Sequence, residues 1–344
     1  MQLTDLTIVI PVYGESVYLG EALQSTEKLV AKGASLLIID DGATTDIAVQ
    51  INSWVDNQDS DCIRVTTNPN NLGLFMSLNQ NLQFVRTKWF CFLCSDDFLL
   101  PDIIRKLQSL HPNDQTGLIL SKFRSVNADR SIRYDDCKQL DALQSKYGNI
   151  LSSNQILLAL LRYGSINGNL SGMLIRNTLW QACEGFLFEW KHAADWEWLV
   201  RACEKTTTRI SLLPLVALRT HADQLSFSNQ GSGAPLLEAI AVIKILQKKT
   251  NANQNPLAMW WSASLLQHHL WNQLLSNCRT RNLSQLEFRC NSMKQVAPLY
   301  LIFAAMIFSL PGRITRRAMM KITKLRSKSS FGESLQAINY FPPP

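Results

Sequence analysis

An apolar stretch that runs directly into two adjacent carboxylates, residues 89–97 (WFCFLCSDD), most constrains what this chain can fold into. A short continuous apolar run is typical of a strand buried on both faces of a parallel sheet. Such a strand would bring Asp96 and Asp97 to one edge of the sheet. Because two like charges side by side cost stability unless something positive neutralises them, we expect this edge to bind a metal ion or a phosphate-bearing ligand.

The segments before this strand alternate between strand and helix patterns. Apolar runs at 6–12 and 36–39, and a shorter one near 62–66, are separated by segments with helical periodicity. Strands that alternate with helices in this way predict a mostly parallel sheet of the α/β class. The polar stretch 125–148 has few apolar anchors and is predicted to be a long surface loop, a candidate lid. From about residue 235 the chain is predicted to be helical.

Polar side chains follow the predicted strands at the point where each one ends. Tyr13 and Glu15 follow the first strand, and the pair Asp40 and Asp41 follows the second. In a parallel sheet these points share the carboxyl edge, where ligands of such folds bind. Acids in these positions can also cap the next helix, and for Asp96 and Asp97, ahead of the predicted helix after Pro101, that alternative stays open.

Composition excludes some classes of function. The net charge is +7, from 34 bases and 27 acids, but a C-terminal cluster holds seven of the bases and no acid. Removing them leaves 27 bases against 27 acids, so the body is neutral and no nucleic-acid partner is expected. Eight scattered cysteines and no apolar leader predict a cytoplasmic, reducing location. Cys91 and Cys94, at an odd offset on a strand, are expected to point to opposite faces and to pack rather than bind metal.

Six segments carry a resemblance to a known family: LTIVIPVYGES, LIIDDGATTD, NPNNLG, FLCSDD, AADWEWLVRA and LRTHADQLS. With these in order over roughly 6–226, the chain resembles the family 2 glycosyltransferases, inverting enzymes of the GT-A fold. The resemblance implies an α/β GT-A fold, with a mostly parallel central sheet flanked by helices and a helical C-terminal extension. The glycosyltransferase domain would span 1–230, with a nucleotide-sugar half at about 1–100 and an acceptor and catalytic half at about 101–230. Residues 231–344 would form the helical region.

The resemblance also implies roles for particular residues. Asp195 would be the catalytic base that removes the acceptor proton; a helix N-cap is the alternative for this residue. Asp96, Asp97 and His221 would bind Mn²⁺ or Mg²⁺, although His221 could equally be a solvated loop histidine. The nucleotide-sugar contacts would be Pro11, Val12, Tyr13, Glu15, Asp40, Asp41, Asn71, Gly73, Asn79, Ser95 and Asp96.

Two positions depart from the family's pattern. Cys94 stands where an acid is common, which leaves C-S-D-D in place of a D-x-D, and Ala194 precedes the base where an acid is frequent. Both put the strength of metal binding and catalysis in question, so a non-catalytic nucleotide-sugar-binding scaffold stays open. A nucleotidyltransferase, which also uses acid-bound metal, is a further alternative. A nicotinamide-dependent oxidoreductase is disfavoured, since no G-x-G-x-x-G follows the first strand.

The C-terminal region combines an apolar and a basic segment. Residues 296–310 are apolar but shorter than the ~20 needed to cross a bilayer as a helix, so a core helix or a segment entering one leaflet both fit. Residues 312–328 predict a basic amphipathic helix, and each base near an anionic surface contributes about 1 kcal/mol. A solvated helix is the alternative. We expect a peripheral enzyme on the inner face of the cell membrane that transfers sugar from a UDP- or dTDP-sugar to a glycan or lipid-linked acceptor in cell-surface polysaccharide synthesis.

Overall fold

The structure is a computed structural model that describes residues 1–134, 138–166, 170–221, 233–251, 255–280 and 283–310. The chain divides into two compact units, Met1–Glu238 and Ala239–Pro344. The first unit contains a mixed sheet with helices, and the described part of the second is helical.

The sheet of the first unit has ten strands among the described residues. Its order is β3-β2-β1-β4-β9-β6-β10-β5, with β7 beside β6 and β8 beside β10. The strands are β1 Leu6–Gly14, β2 Ser35–Ala43, β3 Ile63–Thr67, β4 Trp89–Phe92, β5 Phe98–Leu99, β6 Thr116–Asn127, β7 Ile132–Tyr134, β8 Ile150–Leu151, β9 Met173–Arg176 and β10 Thr207–Thr220.

The helices connect and cover these strands. In the first unit they are α1 Leu19–Val30, α2 Thr45–Asp56, α3 Leu74–Asn81, α4 Ile103–Ser109, α5 Lys138–Tyr147, α6 Ser153–Tyr163, α7 Asn177–Ala182 and α8 Ala194–Lys205. Then follow α9 Ala234–Lys249, α10 Pro256–Thr280, α11 Leu283–Met293 and α12, residues 299–310.

The four N-terminal strands are parallel, as the sequence predicted. Strand β1 pairs with β2 and with β4, and β2 pairs with β3, all in parallel register. Apolar side chains are buried on both faces of β1: Leu6, Ile8, Val9 and Ile10 are at most 1% exposed. Strand β9 runs antiparallel to β4 and β6, and β10 runs parallel to β6. The ends of β1, β2, β4 and β10 therefore lie on the same edge of the sheet.

The prediction of a long loop at 125–148 was wrong. Strand β6 continues to Asn127, β7 pairs back on it, and α5 occupies Lys138–Tyr147. Leu140 and Leu143 are its buried anchors. Two leucines three residues apart suffice to fix a short helix against a sheet, but in a polar segment they give a weak periodic signal.

The two cysteines of the C-x-x-C do not share a strand. Strand β4 ends at Phe92, and Cys91 is buried in the core while Cys94 lies beyond the strand end. Alternation between opposite faces holds only inside a strand, so the expectation that the two cysteines point to opposite faces of one strand was wrong.

The C-terminal unit contains most of α9 together with α10, α11 and α12. Their buried residues include Val242, Ile243, Leu266 and Leu270. None of the described helices is long and apolar enough to cross a membrane. The predicted basic helix at 312–328 lies outside the described residues.

Gly172, which precedes β9, tests how tightly the sheet packs near its carboxyl edge. Its φ is +88°, and a Cβ there would lie 3.0 Å from Val216 Cγ2 and 3.3 Å from Ser121 Oγ. Gly148 has a similar φ of +80° but no heavy atom within 4 Å of a Cβ. We expect Gly148→Ala to cost about 1–2 kcal/mol from backbone strain alone. Gly172→Ala should cost a further ~1–3 kcal/mol because of the overlap, measured by urea unfolding. Equal losses would contradict the close packing.

Candidate functional site

The candidate site lies at the carboxyl edge of the sheet, where the chain turns after β4. Ser95 and Asp96 form this turn, and Asp97 follows immediately before β5. Cys94, Ser95 and Asp96 are half-buried, whereas Asp97 is 1% exposed. The two adjacent aspartates therefore occupy different environments, and only Asp96 faces accessible space.

Asp97 links three segments of the sheet edge. Its Oδ2 accepts a hydrogen bond from Ser171 Oγ at 2.6 Å, and its Oδ1 accepts one from the main-chain N–H of Arg219 at 2.9 Å. Ser171 Oγ also accepts the N–H of Cys94 at 2.9 Å. Burial and the neighbouring charge of Asp96 raise the pKa of Asp97 to about 8, although the hydrogen bond from Ser171 opposes this shift. Through these hydrogen bonds the buried Asp97 carboxylate fixes the position of the turn.

Arg219, at the end of β10, is the cation of the site. Its side chain is 1% exposed, and its Nη2 contacts Glu21 Oε2 at 2.7 Å. Its Nε donates to the main-chain oxygen of Asp96 at 2.9 Å, and its Nη1 donates to that of Ala128 at 2.7 Å. The guanidinium also lies over the ring of Tyr18, 4.2 Å from the centroid. Its charge and hydrogen-bond donors are thus satisfied by groups from separate segments.

Asp96 has an imidazole partner. His221 Nε2 lies 3.2 Å from Asp96 Oδ2, and the His221 ring packs against Tyr18 at 5.0 Å between centroids. The His221 side chain is 12% exposed, so the alternative of a solvated loop histidine is wrong. One ligand atom each from Cys94, Asp96 and Asp97 lies within 4.8 Å of the others, a spacing that can hold a metal ion.

These donors differ in their fitness for a hard cation. Burial and the charges of Asp97 and Asp96 raise the pKa of Cys94 well above its usual value, which keeps the thiol protonated and makes it a poor ligand. Both oxygens of Asp97 already accept hydrogen bonds. The carboxylate of Asp96 therefore fits Mn²⁺ or Mg²⁺ best among these donors, and the imidazole of His221 lies beside it.

Asp41 belongs to a buried polar network at the end of β2. Its Oδ1 accepts hydrogen bonds from Asn68 Nδ2 and from the N–H of Leu72, both at 2.8 Å. Asn68 also donates to Ser77 Oγ, and its own oxygen accepts from Asn81. This network fixes the loop before α3 against the carboxylate.

The other predicted nucleotide-sugar residues have distinct surroundings. Asp40 Oδ1 accepts the N–H groups of Gly42 and Ala43, at 3.0 and 2.7 Å, so it shapes the last residues of β2. Asn79 binds both main-chain groups of Phe186, at 2.6 and 2.9 Å. The remaining predicted residues at this edge are half-buried Pro11, buried Val12, exposed Tyr13, Glu15 and Asn71, and Gly73 with a φ of +78°.

A Cβ on Gly42 would meet Asn71 Cβ at 3.5 Å and Tyr13 Cδ2 at 3.8 Å. Tyr13 and Asn71 therefore flank the same turn, one from β1 and the other from the loop before α3. Gly42 has a φ of +99°, which side chains rarely adopt. The exposed Tyr13 ring and the buried Asp41 carboxylate thus border one surface of the edge.

Asp195 is the second residue of α8, whose N-cap position is Ala193. The N-cap alternative for Asp195 is therefore wrong. Its Oδ1 accepts the N–H of Trp196 at 2.8 Å. Burial raises the pKa of Asp195 to about 6, partly offset by that hydrogen bond, and the charge of Glu238 adds to the rise. Besides burial, the charges of Asp97 and Asp96, and to a smaller extent that of Asp195, raise the pKa of the Cys94 thiol.

Glu238 holds the segment that precedes α8. Its Oε2 accepts the N–H groups of His192 and Ala193, each at 2.7 Å, and its Oε1 accepts that of Lys191 at 3.1 Å. Three consecutive N–H groups around one carboxylate fix the backbone that leads into the helix, and so the orientation in which Asp195 is presented.

Sequence reasoning missed several residues of this edge: Tyr18, Glu21, Asn68, Ser171 and Glu238. Each acts through a partner that is distant in sequence, and Glu21 and Arg219 are 198 residues apart. The sequence offered one signal for such a partner. Arg219 follows an apolar run typical of a buried strand, and a buried guanidinium requires an acid beside it.

Comparison with known proteins finds a match for part of this edge. Residues 7–155, less than half of the chain, match the family model of glycosyl transferase family 2. This range contains Asp41, Asp96 and Asp97 but not Asp195 or His221. A region of 106 residues is 28% identical to an uncharacterized glycosyltransferase of Haemophilus influenzae, covering 31% of this chain and 42% of that relative. The match therefore spans less than half the length of the curated relative.

Solved structures share the fold of this chain. S. aureus TarS, residues 1–349, aligns with a TM-score of 0.63 in its complex with UDP-GlcNAc, at 16% identity over 91% of this chain and 87% of TarS. Its complex with UDP aligns with a TM-score of 0.60, at 16% identity and with the same coverage. The prediction of a GT-A fold with a central sheet flanked by helices is confirmed.

Ser171→Ala tests the support beneath the turn formed by Ser95 and Asp96. The substitution removes the donor to Asp97 and the acceptor for Cys94, both in buried surroundings. We expect it to destabilise the fold by about 1–3 kcal/mol in urea unfolding. Ser53→Ala, on the exposed face of α2, is the matched control and should stay within about 0.5 kcal/mol of the unsubstituted chain. A neutral Ser171→Ala would show that Asp97 does not depend on this hydrogen bond.

Proposed function

We propose that this chain is an active inverting glycosyltransferase that transfers a sugar from a UDP- or dTDP-sugar to a hydroxyl group of an acceptor. The observation that carries the proposal is the cluster of Cys94, Asp96 and Asp97 at the carboxyl edge of the sheet, whose ligand atoms lie within 4.8 Å of one another. This cluster offers an anchor for a metal ion and a diphosphate, and the Asp195 carboxylate, whose pKa burial raises to about 6, offers a proton acceptor.

The donor nucleotide is assigned to the end of β2. Asp41 Oδ1 takes both hydrogen bonds from Asn68 and Leu72, so we assign Oδ2 to the imide N–H of uracil or thymine. Pro11, Val12 and Tyr13 would line the base and ribose. The complexes of S. aureus TarS with UDP and UDP-GlcNAc support a uridine nucleotide on a fold of this kind.

Asp96 and His221 would hold the divalent metal, with Asp97 supporting the turn. A divalent ion held there would supply positive charge to offset the negative charge that develops on the leaving diphosphate. Asp96 presents its carboxylate from a turn that Arg219 and Asp97 hold rigid. The replacement of an acid by Cys94 leaves Asp96 as the accessible carboxylate of the C-S-D-D segment.

Asp195 acts as the base. The acceptor oxygen attacks the anomeric carbon from the face opposite the diphosphate and forms the new glycosidic bond. The bond from the anomeric carbon to the diphosphate oxygen breaks, the nucleoside diphosphate leaves, and Asp195 takes the acceptor proton. Its raised pKa makes this carboxylate a stronger base than an exposed aspartate.

The acceptor is proposed to be a glycan or lipid-linked glycan used in cell-surface polysaccharide synthesis. Support comes from sequence: seven bases at 313–328, outside the described residues, would bring the enzyme to the anionic inner face of the cell membrane. Anionic lipid and lipid-linked acceptor would then be found at the same surface.

Asp195→Asn tests catalysis. An amide cannot accept the acceptor proton, so we expect transfer to fall at least about 100-fold, with donor binding retained.

In the unsubstituted enzyme, kcat/KM should fall as pH drops through about 6, because protonation of Asp195 removes the base. Product analysis should find nucleoside diphosphate; release of diphosphate ion would indicate a nucleotidyltransferase. Equal background rates in both proteins would indicate a non-catalytic scaffold.

Glu238→Gln tests how Asp195 is tuned. Removing the charge of Glu238 should lower the pKa of Asp195, so the acidic limb of kcat/KM should move to lower pH. Glu189→Gln, an exposed residue of the preceding segment, makes the same chemical change and should leave the limb unmoved. An identical acidic limb in all three proteins would show that Glu238 has no electrostatic influence on the base.

Donor binding is tested without any acceptor. UDP- and dTDP-sugars with Mn²⁺ should raise the melting temperature, since a ligand that binds only the folded state stabilises it. Asp41→Asn should weaken this binding at least about tenfold by replacing an acceptor oxygen with a donor. Asp46→Asn, at an exposed position in the first turn of α2, is the matched control. No shift with any uridine or thymidine diphosphate sugar would contradict the donor assignment.

A further inference from the structure

The last described helix, α12, has two apolar faces. Its sequence, LYLIFAAMIFSL, contains no charged residue. Ile302, Ala305 and Met306 are 0%, 4% and 7% exposed and form the inner face. The outer face has large apolar side chains with exposed fractions far above these: Tyr300 71%, Phe303 40%, Ile307 57% and Phe308 63%.

The exposed residues lie along one stripe. Spacings of three, seven and eight residues from Tyr300 keep side chains on neighbouring turns of one helix face. Single exposed apolar residues are ordinary on protein surfaces, but a contiguous patch without a charge indicates an interaction surface. We define the aromatic face as Tyr300, Phe303, Ile307 and Phe308.

The flanking sequence indicates what covers the aromatic face. Lys294 precedes α12. The seven bases at 313–328 follow α12, and the first acid after the helix is Glu333. Apolar aromatic side chains beside a dense positive charge complement a surface that has anionic headgroups over hydrocarbon. A second copy of the chain carries the same positive charge, which opposes self-association through this region.

The aromatic composition fits the headgroup region of a bilayer. Trp260, on α10, packs edge to face against Phe308 with 5.8 Å between ring centroids. Trp and Tyr are enriched at membrane interfaces because they combine an apolar ring with a polar group. A helix of this length extends roughly 18 Å, too short to span a hydrocarbon core of about 30 Å, but it can lie in the plane of the interface.

We infer that the aromatic face of α12 inserts into the interface of an anionic lipid bilayer. This surface is distinct from the basic segment to which the proposed function assigns membrane attachment, since that segment attracts charge whereas α12 contributes apolar burial. Insertion of α12 would contribute apolar burial to the free energy of membrane binding, and salt does not screen that contribution. The basic segment would raise the rate of encounter, and the aromatic face would retain the protein.

The experiment uses the full chain with vesicles of phosphatidylcholine, alone or mixed with phosphatidylglycerol, in a co-sedimentation assay. The triple variant Tyr300→Ser, Ile307→Ser, Phe308→Ser should bind mixed vesicles at least tenfold more weakly than the unsubstituted chain, at low and at high salt. The control is the double variant Val49→Ser, Leu213→Ser, which removes exposed apolar side chains from the first unit and should bind normally.

A second measurement needs no variant. Vesicles whose acyl chains are brominated should quench part of the tryptophan emission of the unsubstituted chain, because Trp260 lies beside Phe308. Unchanged vesicle binding by the triple variant, or no quenching in vesicle-bound protein, would overturn the inference. So would loss of an oligomer in the triple variant with lipid binding intact, which would assign the face to a second copy. None of these measurements uses sugar transfer, so an inactive enzyme would not be confused with a failed membrane surface.

Discussion

The buried guanidinium of Arg219 is the interaction on which the rest of the site depends. A charge that is 1% exposed is tolerated only when acids and main-chain oxygens surround it, and these come from α1, the turn after β4 and the segment after β6. The same residue donates its main-chain N–H to Asp97. Through these contacts one residue at the end of β10 connects elements that are distant in sequence. The same hydrogen bonds hold the turn that contains Asp96 in a fixed position.

Two adjacent aspartates illustrate how burial separates roles. Asp97 is enclosed, hydrogen-bonded by Ser171 and Arg219, and has a pKa raised to about 8, whereas Asp96 keeps an accessible carboxylate beside His221. Asp97 thus supports the turn, and Asp96 is the candidate metal ligand. The departure at Cys94 fits this arrangement, since a further negative charge in the same half-buried space would add repulsion that the protonated thiol avoids.

Glu238 influences both the position and the pKa of the proposed base, Asp195. Glu238 binds three successive N–H groups ahead of α8, which fixes the start of the helix, and its charge contributes to the raised pKa of Asp195. The family commonly has an acid immediately before the base, where this chain has Ala194. Glu238 offers negative charge near Asp195 from a different element, so the substitution at Ala194 does not leave the base without an acidic neighbour.

The sequence by itself determined the strand and helix alternation, the parallel N-terminal sheet and the edge that collects Asp41 and Asp96, because apolar periodicity and strand ends are local signals. It could not determine that 125–148 is structured, since two leucines in a polar segment are too weak a pattern. Only the tertiary structure decided which aspartate is accessible and that Glu238 adjoins Asp195. These properties depend on side chains more than forty residues apart, and proximity of that kind follows from packing, not from local sequence.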